Sequence, residues 1–189
     1  MTNFTQHTID SAPQAAKAGL QGAQKALGFV PNLFATMAEA PVSLEAYNVG
    51  TTIFEKSSLN PVEQQVVLLT ASIENNCEYC VAAHSVIAKN MVKADPAIVD
   101  ALRNGSALPD AKLQALSDFT QTVIAERGFV ADQAVEAFLN AGYTKANVLE
   151  VVVGVALKTI STYTNHLANT PLDAAFAPET WSASTCKVA

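Results

Sequence analysis

The sequence predicts an all-α fold, a helical bundle of about eight helices. Signals for helix starts and ends recur along the chain: Ser, Asn or Asp before an apolar-periodic segment, Pro in a first turn, and Gly after a last turn. Apolar residues recur at three- and four-residue steps. The β-branched run "VVVGVAL" at 151–157 lies within about 24 residues without a turn signal, longer than strands usually run.

Capping residues justify the first three predicted helices. Ser11 is a suitable N-cap and Gly28 a suitable C-terminal stop for an Ala-rich helix. Pro41 opens the second helix at a tolerated first-turn position. Asn60 caps the third, with Pro61 at its first position and apolar residues along one stripe. These segments cover 11–28, 41–58 and 60–73.

Similar signals justify the remaining five helices. Asn75 or Asn76 caps a helix that places Cys77 in its first turn. Asp95 with the following proline starts a short helix, and Gly128 ends the next long one. The five predicted segments are 77–90, 95–104, 109–128, 131–142 and 144–169.

The chain is interpreted as a single domain over 1–189 with a degenerate internal two-fold repeat. Shifting the sequence by 84 positions lays a first unit, about 41–92, over a second, about 125–170, with their apolar rows largely superposed. The reactive side chains occur in the first unit only. Opposite Cys77, Cys80 and His84, the second unit has Ser161, Thr164 and Ala168.

Composition narrows the function classes. A net charge of −6 without a Lys/Arg cluster argues against nucleic acid as a partner. Because 50% of the residues are apolar and 15% charged, we expect a homo-oligomer that buries part of this surface.

The start of the chain, "MTNFTQHTID", lacks the basic and apolar regions of a secretory signal. No strictly apolar run approaches the roughly 20 residues of a spanning helix, so we expect a soluble protein and no membrane partner. Three cysteines without a signal suggest a reducing cytoplasm. Cys186, alone in a Ser/Thr-rich tail, is interpreted as a spare thiol.

The segment "NNCEYCVAAHS" at 75–85 concentrates the candidate chemistry. A helix N-terminus stabilises a thiolate, so Cys77 is predicted to ionise more easily than a free thiol. Cys80 lies three residues on, near enough for a disulfide after modest adjustment of the first turn. His84, four residues beyond Cys80 on the same face, can accept its proton or stabilise its thiolate when charged. Thiol redox chemistry is the favoured interpretation.

Two other interpretations stay open at this point. The cysteines can be small buried hydrophobes beside a core imidazole. Alternatively, the Cys pair and His84 form a partial zinc set, with Glu74 or His166 as fourth ligand. Farther along, Tyr163, Asn165 and His166 are assigned to packing and helix-helix hydrogen bonds rather than to the site.

The motif "CEYCVAAH", preceded by "LNPVEQQVVLL" and "GFVPNLFATMAEAP", resembles the carboxymuconolactone decarboxylase-like superfamily, in particular its alkylhydroperoxidase D-like branch. The resemblance extends from about Gly28 to the segment "YTNHLANTPLD" at residues 163–173. It implies an all-helical homotrimer or homohexamer that reduces hydroperoxides through the cysteine pair, without a cofactor or metal. Carried over, it makes Cys80 the peroxide-attacking thiol, Cys77 the resolving thiol and His84 the proton relay.

The sequence departs from that branch at one position. Its peroxidases usually carry a Glu twelve residues before the first Cys, where this chain has Gln65, which cannot accept a proton. Glu74 is the candidate replacement in the relay. An apolar segment with Phe29 and Phe34 is a candidate lining for access of an organic peroxide.

The resemblance implies a dithiol as electron donor, for instance a lipoyl-bearing protein. Three other function classes remain: a protein thiol-disulfide oxidoreductase, a metal-binding or non-redox member of the superfamily, and a non-catalytic oligomeric binding module.

Overall fold

The structure, a computed structural model, describes residues 4–183, and Cys186 lies outside this range. Helix is the regular secondary structure of the described residues, and no strand occurs among them, which confirms the all-α prediction. The α-helices are α1 (Gln14–Leu27), α2 (Asn32–Met37), α3 (Pro41–Phe54), α4 (Pro61–Glu74), α5 (Glu78–Val86), α6 (Pro96–Asn104), α7 (Ala111–Ala125), α8 (Asp132–Asn140) and α9 (Lys145–Ala168). A π-helical segment, Ile87–Val92, continues α5, and a short 3-10 turn covers Ala177–Glu179.

Most predicted caps are confirmed. Asn60 accepts hydrogen bonds from the first turn of α4, and the Glu63 carboxylate accepts one from the Asn60 N–H, which completes a capping box. Gly28 ends α1 in the left-handed region, at φ 84°. The predicted Ser11 cap is wrong. Pro13 precedes α1, and Ser11 instead exchanges hydrogen bonds with Thr8.

The structure also contains a helix that the sequence did not predict. α2 is six residues long and follows Pro31, which stands at its N-cap position. A segment this short spans less than two turns, so it carries too little apolar periodicity to be recognised.

Helix α4 lies at the centre of the bundle, in contact with α5, α6, α7 and α9. Around it is the larger of two apolar clusters, whose members include Val67, Leu69 and Phe138. The second cluster joins α1 and α2 to the start of α5 and contains Cys77 and Cys80. The cysteine motif therefore lies in the second cluster, on the side of the bundle that α1 and α2 cover.

Two glycines allow α9 to approach its neighbours closely. A Cβ at Gly154 would lie 2.6 Å from Val67 of α4 and 3.0 Å from Phe54 of α3. A Cβ at Gly50 of α3 would lie 2.5 Å from the side chain of Leu157. Any larger residue at these positions pushes the helices apart. The small residues thus hold one face of α9 against α3 and α4.

The two faces of α9 differ in an unusual way. Its buried face carries polar side chains, whereas its exposed face carries large apolar ones. The buried polar residues are Lys158, Ser161, Thr162 and Asn165, and the exposed apolar residues are Leu149, Val152, Val153, Tyr163 and Leu167. Among residues 4–183, α9 is long and apolar enough to cross a membrane by length and composition, a property that core helices of soluble proteins share.

The predicted repeat stays a prediction. In the first unit, residues 61–86 form two helices separated by residues 75–77, with Asn76 in the left-handed region at φ 51°. The corresponding part of the second unit is the single uninterrupted helix α9. The break between α4 and α5 is what turns the cysteine motif toward α9.

Candidate active site

The turn between α4 and α5 gives the two cysteines different backbone positions. Cys77 is the N-cap residue of α5, with an extended backbone (φ −94°, ψ 95°), and its N–H donates to the carbonyl of Ser72 at 3.0 Å. The prediction that Asn75 or Asn76 caps the helix is therefore wrong. Cys80 is the third residue of α5, so Cys80, rather than Cys77, lies within the first turn. Cys77 remains the cysteine nearer the helix N-terminus, so the helix dipole alone still does not favour Cys80.

The two thiols contact each other, and one side chain of α9 spans both. The Cys77 and Cys80 side chains lie close enough for each to influence the ionisation of the other. The amide Nδ2 of Asn165 lies 3.3 Å from Cys80 Sγ and 3.7 Å from Cys77 Sγ. Ser161 Oγ lies 3.7 Å from Cys80 Sγ. Both cysteines are free thiols and both are buried.

These contacts move the pKa values of the two thiols in opposite directions. Burial opposes ionisation of Cys80, but hydrogen bonding from Cys77, the charge of Lys158 and the Ser161 hydroxyl together hold its pKa well below the usual thiol value. The pKa of Cys77 is raised by its hydrogen bond to Cys80 and by burial. Within the pair, these surroundings favour ionisation of Cys80 over ionisation of Cys77.

His84 lies one turn beyond Cys80 and is oriented by α4. Its Nδ1 is 3.0 Å from Oε1 of Gln65. Since a carbonyl oxygen can only accept, Nδ1 carries the proton and Nε2 is left as a free acceptor. Burial, followed by the charge of Lys158, lowers the pKa of His84 well below its usual value. Neutral His84 can accept a proton, but it does not stabilise the thiolate as a cation.

The structure brings Gln65 into the site but not Glu74. Gln65 bonds to His84, as its place in the motif suggested. Glu74 is the last residue of α4, nine residues from Gln65, and it neither lines the cavity beside Cys80 nor hydrogen bonds to His84. Nine residues correspond to about 13.5 Å of rise and half a turn of rotation. Burial raises the pKa of Glu74, but the carboxylate lies on the far side of α4.

A cavity of about 1080 Å³ opens beside one sulfur only. Cys80, His84, Gln65 and Lys158 line it, whereas Cys77 does not. Apolar side chains of α1, α2 and α3 make up most of the remaining wall, among them Leu27, Leu33, Phe34 and Phe54. A small molecule in this cavity can contact Cys80. Cys77 does not line the cavity and lies behind Cys80.

Of the two aromatic residues predicted to line the access route for a peroxide, one lines the cavity. Phe34 lines the cavity and forms an edge-to-face contact with Tyr47, at 5.7 Å between ring centroids. Phe29 instead packs on Phe176, also at 5.7 Å, outside the cavity wall.

Sequence reasoning missed the contribution of α9. Asn165, which was assigned to packing, contacts both sulfurs, whereas Tyr163 and His166, assigned to packing as well, are exposed. Lys158 was not singled out at all. The available signal was the spacing of Lys158, Ser161 and Asn165, which puts three polar side chains on one stripe of an otherwise apolar helix.

The ligand set that a zinc site requires is absent from residues 4–183. Within that range no three His, Cys, Asp or Glu side chains are grouped as a metal ion requires. His166, one proposed fourth ligand, is exposed on α9, and Glu74 lies at the end of α4.

Solved structures share this architecture. An alkylhydroperoxidase AhpD core, an uncharacterized peroxidase-related protein from Ralstonia eutropha, superposes with a TM-score of 0.80 at 21% identity, over 93% of this chain and 96% of that chain. An uncharacterized peroxidase-related protein from Silicibacter gives 0.79 at 19% identity, over 93% and 95%. The debrominase Bmp8 gives 0.78 at 18% identity, over 95% and 96%. At these identities the likeness concerns the fold.

The sequence matches the model of one protein family. No curated protein sequence matches the chain. Residues 43–117 match the model of the Carboxymuconolactone decarboxylase family, a segment that contains α4, the cysteine motif and His84. About two fifths of the chain thus match this family model, and the whole described fold is that of the alkylhydroperoxidase AhpD core structure.

Proposed function

We propose that this protein is a thiol-dependent peroxidase that reduces organic hydroperoxides through Cys77 and Cys80. One observation carries the proposal: of two contacting thiols, the one with the lowered pKa, Cys80, lines a large cavity, while its partner lies behind it. An attacking thiol needs thiolate character and access, and a resolving thiol needs proximity to the attacker. Cys80 has the thiolate character and the access that an attacking thiol needs. Cys77 has the proximity that a resolving thiol needs.

The first step is attack by the Cys80 thiolate on the terminal oxygen of the hydroperoxide. An S–O bond forms, the O–O bond breaks, and the leaving alkoxide takes up a proton relayed from water by His84. The products are an alcohol and a Cys80 sulfenic acid. Gln65 keeps the relay nitrogen, Nε2, turned away from α4 by holding Nδ1. Glu74 has no part in this relay.

The second step joins the two sulfurs. Cys77 attacks the sulfenic sulfur, the S–S bond forms, and the hydroxyl leaves as water with the proton of Cys77. Two electrons have then passed from the thiol pair to the peroxide. A dithiol returns them by exchange and regenerates both thiols.

The shape of the cavity supports an organic substrate and a slender reductant. Its walls are mainly apolar, which suits an alkyl or aryl hydroperoxide better than hydrogen peroxide. Because Cys77 and Cys80 are both buried, a disulfide on a folded protein surface has no direct approach to them. A lipoyl-type arm carries a dithiol on a long chain that can enter such a cavity. A reducing cytoplasm supplies donors of this kind.

Self-association is part of the proposal. The exposed apolar residues of α9 are joined by others on α3, where Val42, Val49 and Ile53 are also exposed. Apolar surface of this extent is typical of an interface between subunits. A homotrimer or homohexamer, as the family resemblance implies, would cover it, and the molar mass in solution measured by light scattering tests this.

The deciding experiment is a turnover assay with three substrates. Purified protein with a dithiol donor is given an alkyl hydroperoxide, a protein disulfide, or 2,3,4-tribromopyrrole, the ligand named for a structure of the debrominase Bmp8. We expect consumption of the hydroperoxide with oxidation of one dithiol per peroxide. Turnover of the disulfide or the bromopyrrole without hydroperoxide consumption would replace the proposed activity with that of a thiol-disulfide oxidoreductase or a reductive dehalogenase.

A further inference from the structure

Lys158 is a buried cation without a carboxylate partner. Its side chain is 1% exposed, its Nζ has no close hydrogen-bond partner among residues 4–183, and none of the salt bridges in that range includes it. Removing an ammonium group from water costs several kcal/mol unless an anion is nearby. A lysine in this position therefore needs a negative charge that is not a carboxylate.

The titratable groups that face Cys80 come from two elements besides its own. Tyr47 belongs to α3 and Lys158 to α9, while Cys77, Tyr79 and His84 belong to the segment of Cys80. Burial raises the pKa of Tyr47 and of Tyr79 and lowers that of His84, so these three side chains stay neutral at pH 7.

Cys77 also stays protonated, since its hydrogen bond to Cys80 and its burial raise its pKa. Among the described neighbours, Cys80 is the remaining source of a negative charge. Burial is the largest single influence and lowers the pKa of Lys158, but the facing Cys80, Tyr47 and Cys77 side chains together outweigh it and raise the pKa, with Cys80 contributing most. The two groups thus stabilise each other's charged form.

We propose that Lys158 is the fixed counter-charge of the Cys80 thiolate and that it sets both the reactivity of Cys80 and the reduction potential of the Cys77–Cys80 pair. The inference rests on the proposed redox role of Cys80. It makes Lys158 a positioning residue that acts through Cys80, because its side chain lines the same cavity as the reacting sulfur. It also explains how a site with Gln65 in place of a proton-accepting carboxylate obtains a thiolate.

The ion pair exists only in the reduced protein. When the sulfenic acid or the disulfide forms, the negative charge leaves Cys80, and its electron pair is shared in the new S–O or S–S bond. Lys158 is then an unpaired ammonium in a buried site and is stabilised by releasing its proton. Stabilising the reduced form in this way makes the disulfide a stronger oxidant.

The test compares Lys158→Met with a matched control on the same helix, Lys145→Met. Lys145 is the first residue of α9 and is exposed, so its replacement removes the same charge from the surface. Both changes are made in a chain with Cys77→Ser and Cys186→Ser, which leaves Cys80 as the single thiol. The Cys77→Ser change retains a hydroxyl donor toward Cys80. The pH midpoint of iodoacetamide alkylation and the thiolate absorbance near 240 nm report the ionisation of Cys80.

We expect Lys158→Met to raise the alkylation midpoint by roughly two pH units or more, with no change for Lys145→Met. Lys158→Arg, which keeps the charge, should keep the low midpoint. In the chain with both site cysteines, Lys158→Met should shift equilibrium with a dithiol buffer toward the disulfide at least tenfold, about 30 mV for this two-electron couple. A midpoint for Lys158→Met equal to that of the control overturns the inference.

The Lys158→Met protein is expected to fold. Met is close to Lys in volume, and replacing a buried charge with an apolar group is often neutral for stability, so helical content by circular dichroism should be retained. If it is not, Lys158→Gln provides the same titration. The titration requires no hydroperoxide. A shifted midpoint in a protein without peroxidase activity would therefore defeat the proposed function alone, and turnover with an unshifted midpoint would defeat the role of Lys158 alone.

Discussion

The start of α5 and the buried face of α9 contribute to the candidate site in different ways. α5 and its N-cap supply atoms that form and break bonds or move protons: the sulfurs of Cys77 and Cys80 and the imidazole of His84. α9 supplies Lys158 and Asn165, which form no covalent bond in the proposed reaction but surround the sulfurs with a positive charge and a hydrogen-bond donor. One segment provides the reacting groups and the other controls their charge.

This difference predicts that substitutions at the cysteines and substitutions in α9 reduce activity to different extents. Removing a reacting sulfur removes a step of the reaction, whereas removing a neighbouring polar group changes the stability of the thiolate and so the rate of an intact reaction. Variants at the two cysteines should therefore lose activity outright, and variants of α9 should retain reduced activity with an altered pH dependence. A variant of α9 that abolished the reaction at every pH would break this distinction.

The largest effects are expected at the two cysteines, and the two should differ. Cys80→Ser should reduce hydroperoxide consumption about 1,000-fold or more, because a serine hydroxyl stays protonated and is a poor nucleophile. Cys77→Ser should stop repeated turnover but still consume one equivalent of hydroperoxide per chain. A dimedone adduct at Cys80, detected by mass spectrometry, would identify the sulfenic acid.

Cys186→Ser is the matched control for both variants and should turn over as the parent does. Labelling at Cys77 in the Cys80→Ser protein, together with retained peroxide consumption, would reverse the two assigned roles.

A smaller effect is expected for Asn165→Ala. The substitution removes the amide that contacts both sulfurs, and a hydrogen bond to a charged group contributes about 1.5–3 kcal/mol. We expect roughly a tenfold loss in kcat/KM at pH 7, partly recovered at higher pH, where Cys80 ionises without help. The rate of alkylation of Cys80 should fall in parallel.

Asn140→Ala is the control for this variant, since Asn140 is an exposed residue at the end of α8. An Asn165→Ala protein with an unchanged pH profile would show that the amide only packs against the sulfurs.

The sequence predicted the helices whose ends are marked by local chemistry. Asn60 with Pro61 and Gly28 at a left-handed position leave the backbone few alternatives, and both were identified correctly. Cys77 was placed one step too far into α5 because Asn76 adopts a left-handed conformation, which moves the cap onto the cysteine. An asparagine preceding a helix is compatible with either arrangement.

The site was predictable only in its local part. Cys77, Cys80 and His84 lie within two helical turns of one another, so spacing alone places them together. Lys158 joins them because Gly154 lets α9 approach α4, a contact between segments far apart in the chain. No local pattern encodes that approach. A lysine in an apolar helix most often extends to solvent, so its position in the sequence does not distinguish Lys158 from a surface residue.

The smallest catalytic effect is expected for Gln65→Glu, which places a carboxylate where the resembled family branch usually has one. The new charge beside His84 should raise the pKa of the imidazole by about one unit or more, measurable from the NMR shift of its ring protons against pH. Because Lys158 already holds Cys80 as a thiolate in our proposal, kcat/KM at pH 7 should change by less than about fivefold. The control is Gln133→Glu, which adds the same charge to the exposed surface of α8.

Gln65→Glu should also change how the stability of the protein depends on pH. In the parent protein the pKa of folded His84 is below that of the unfolded chain, so the unfolded state binds more protons and stability falls as the pH drops below about 6.5. Raising the folded pKa with Gln65→Glu should reduce that loss. Denaturant unfolding at pH 7 and pH 5.5 measures the difference. An equal loss in both proteins would mean that His84 gains no charge from its new neighbour, and a large gain in peroxidase rate would mean that His84, rather than Lys158, limits formation of the thiolate.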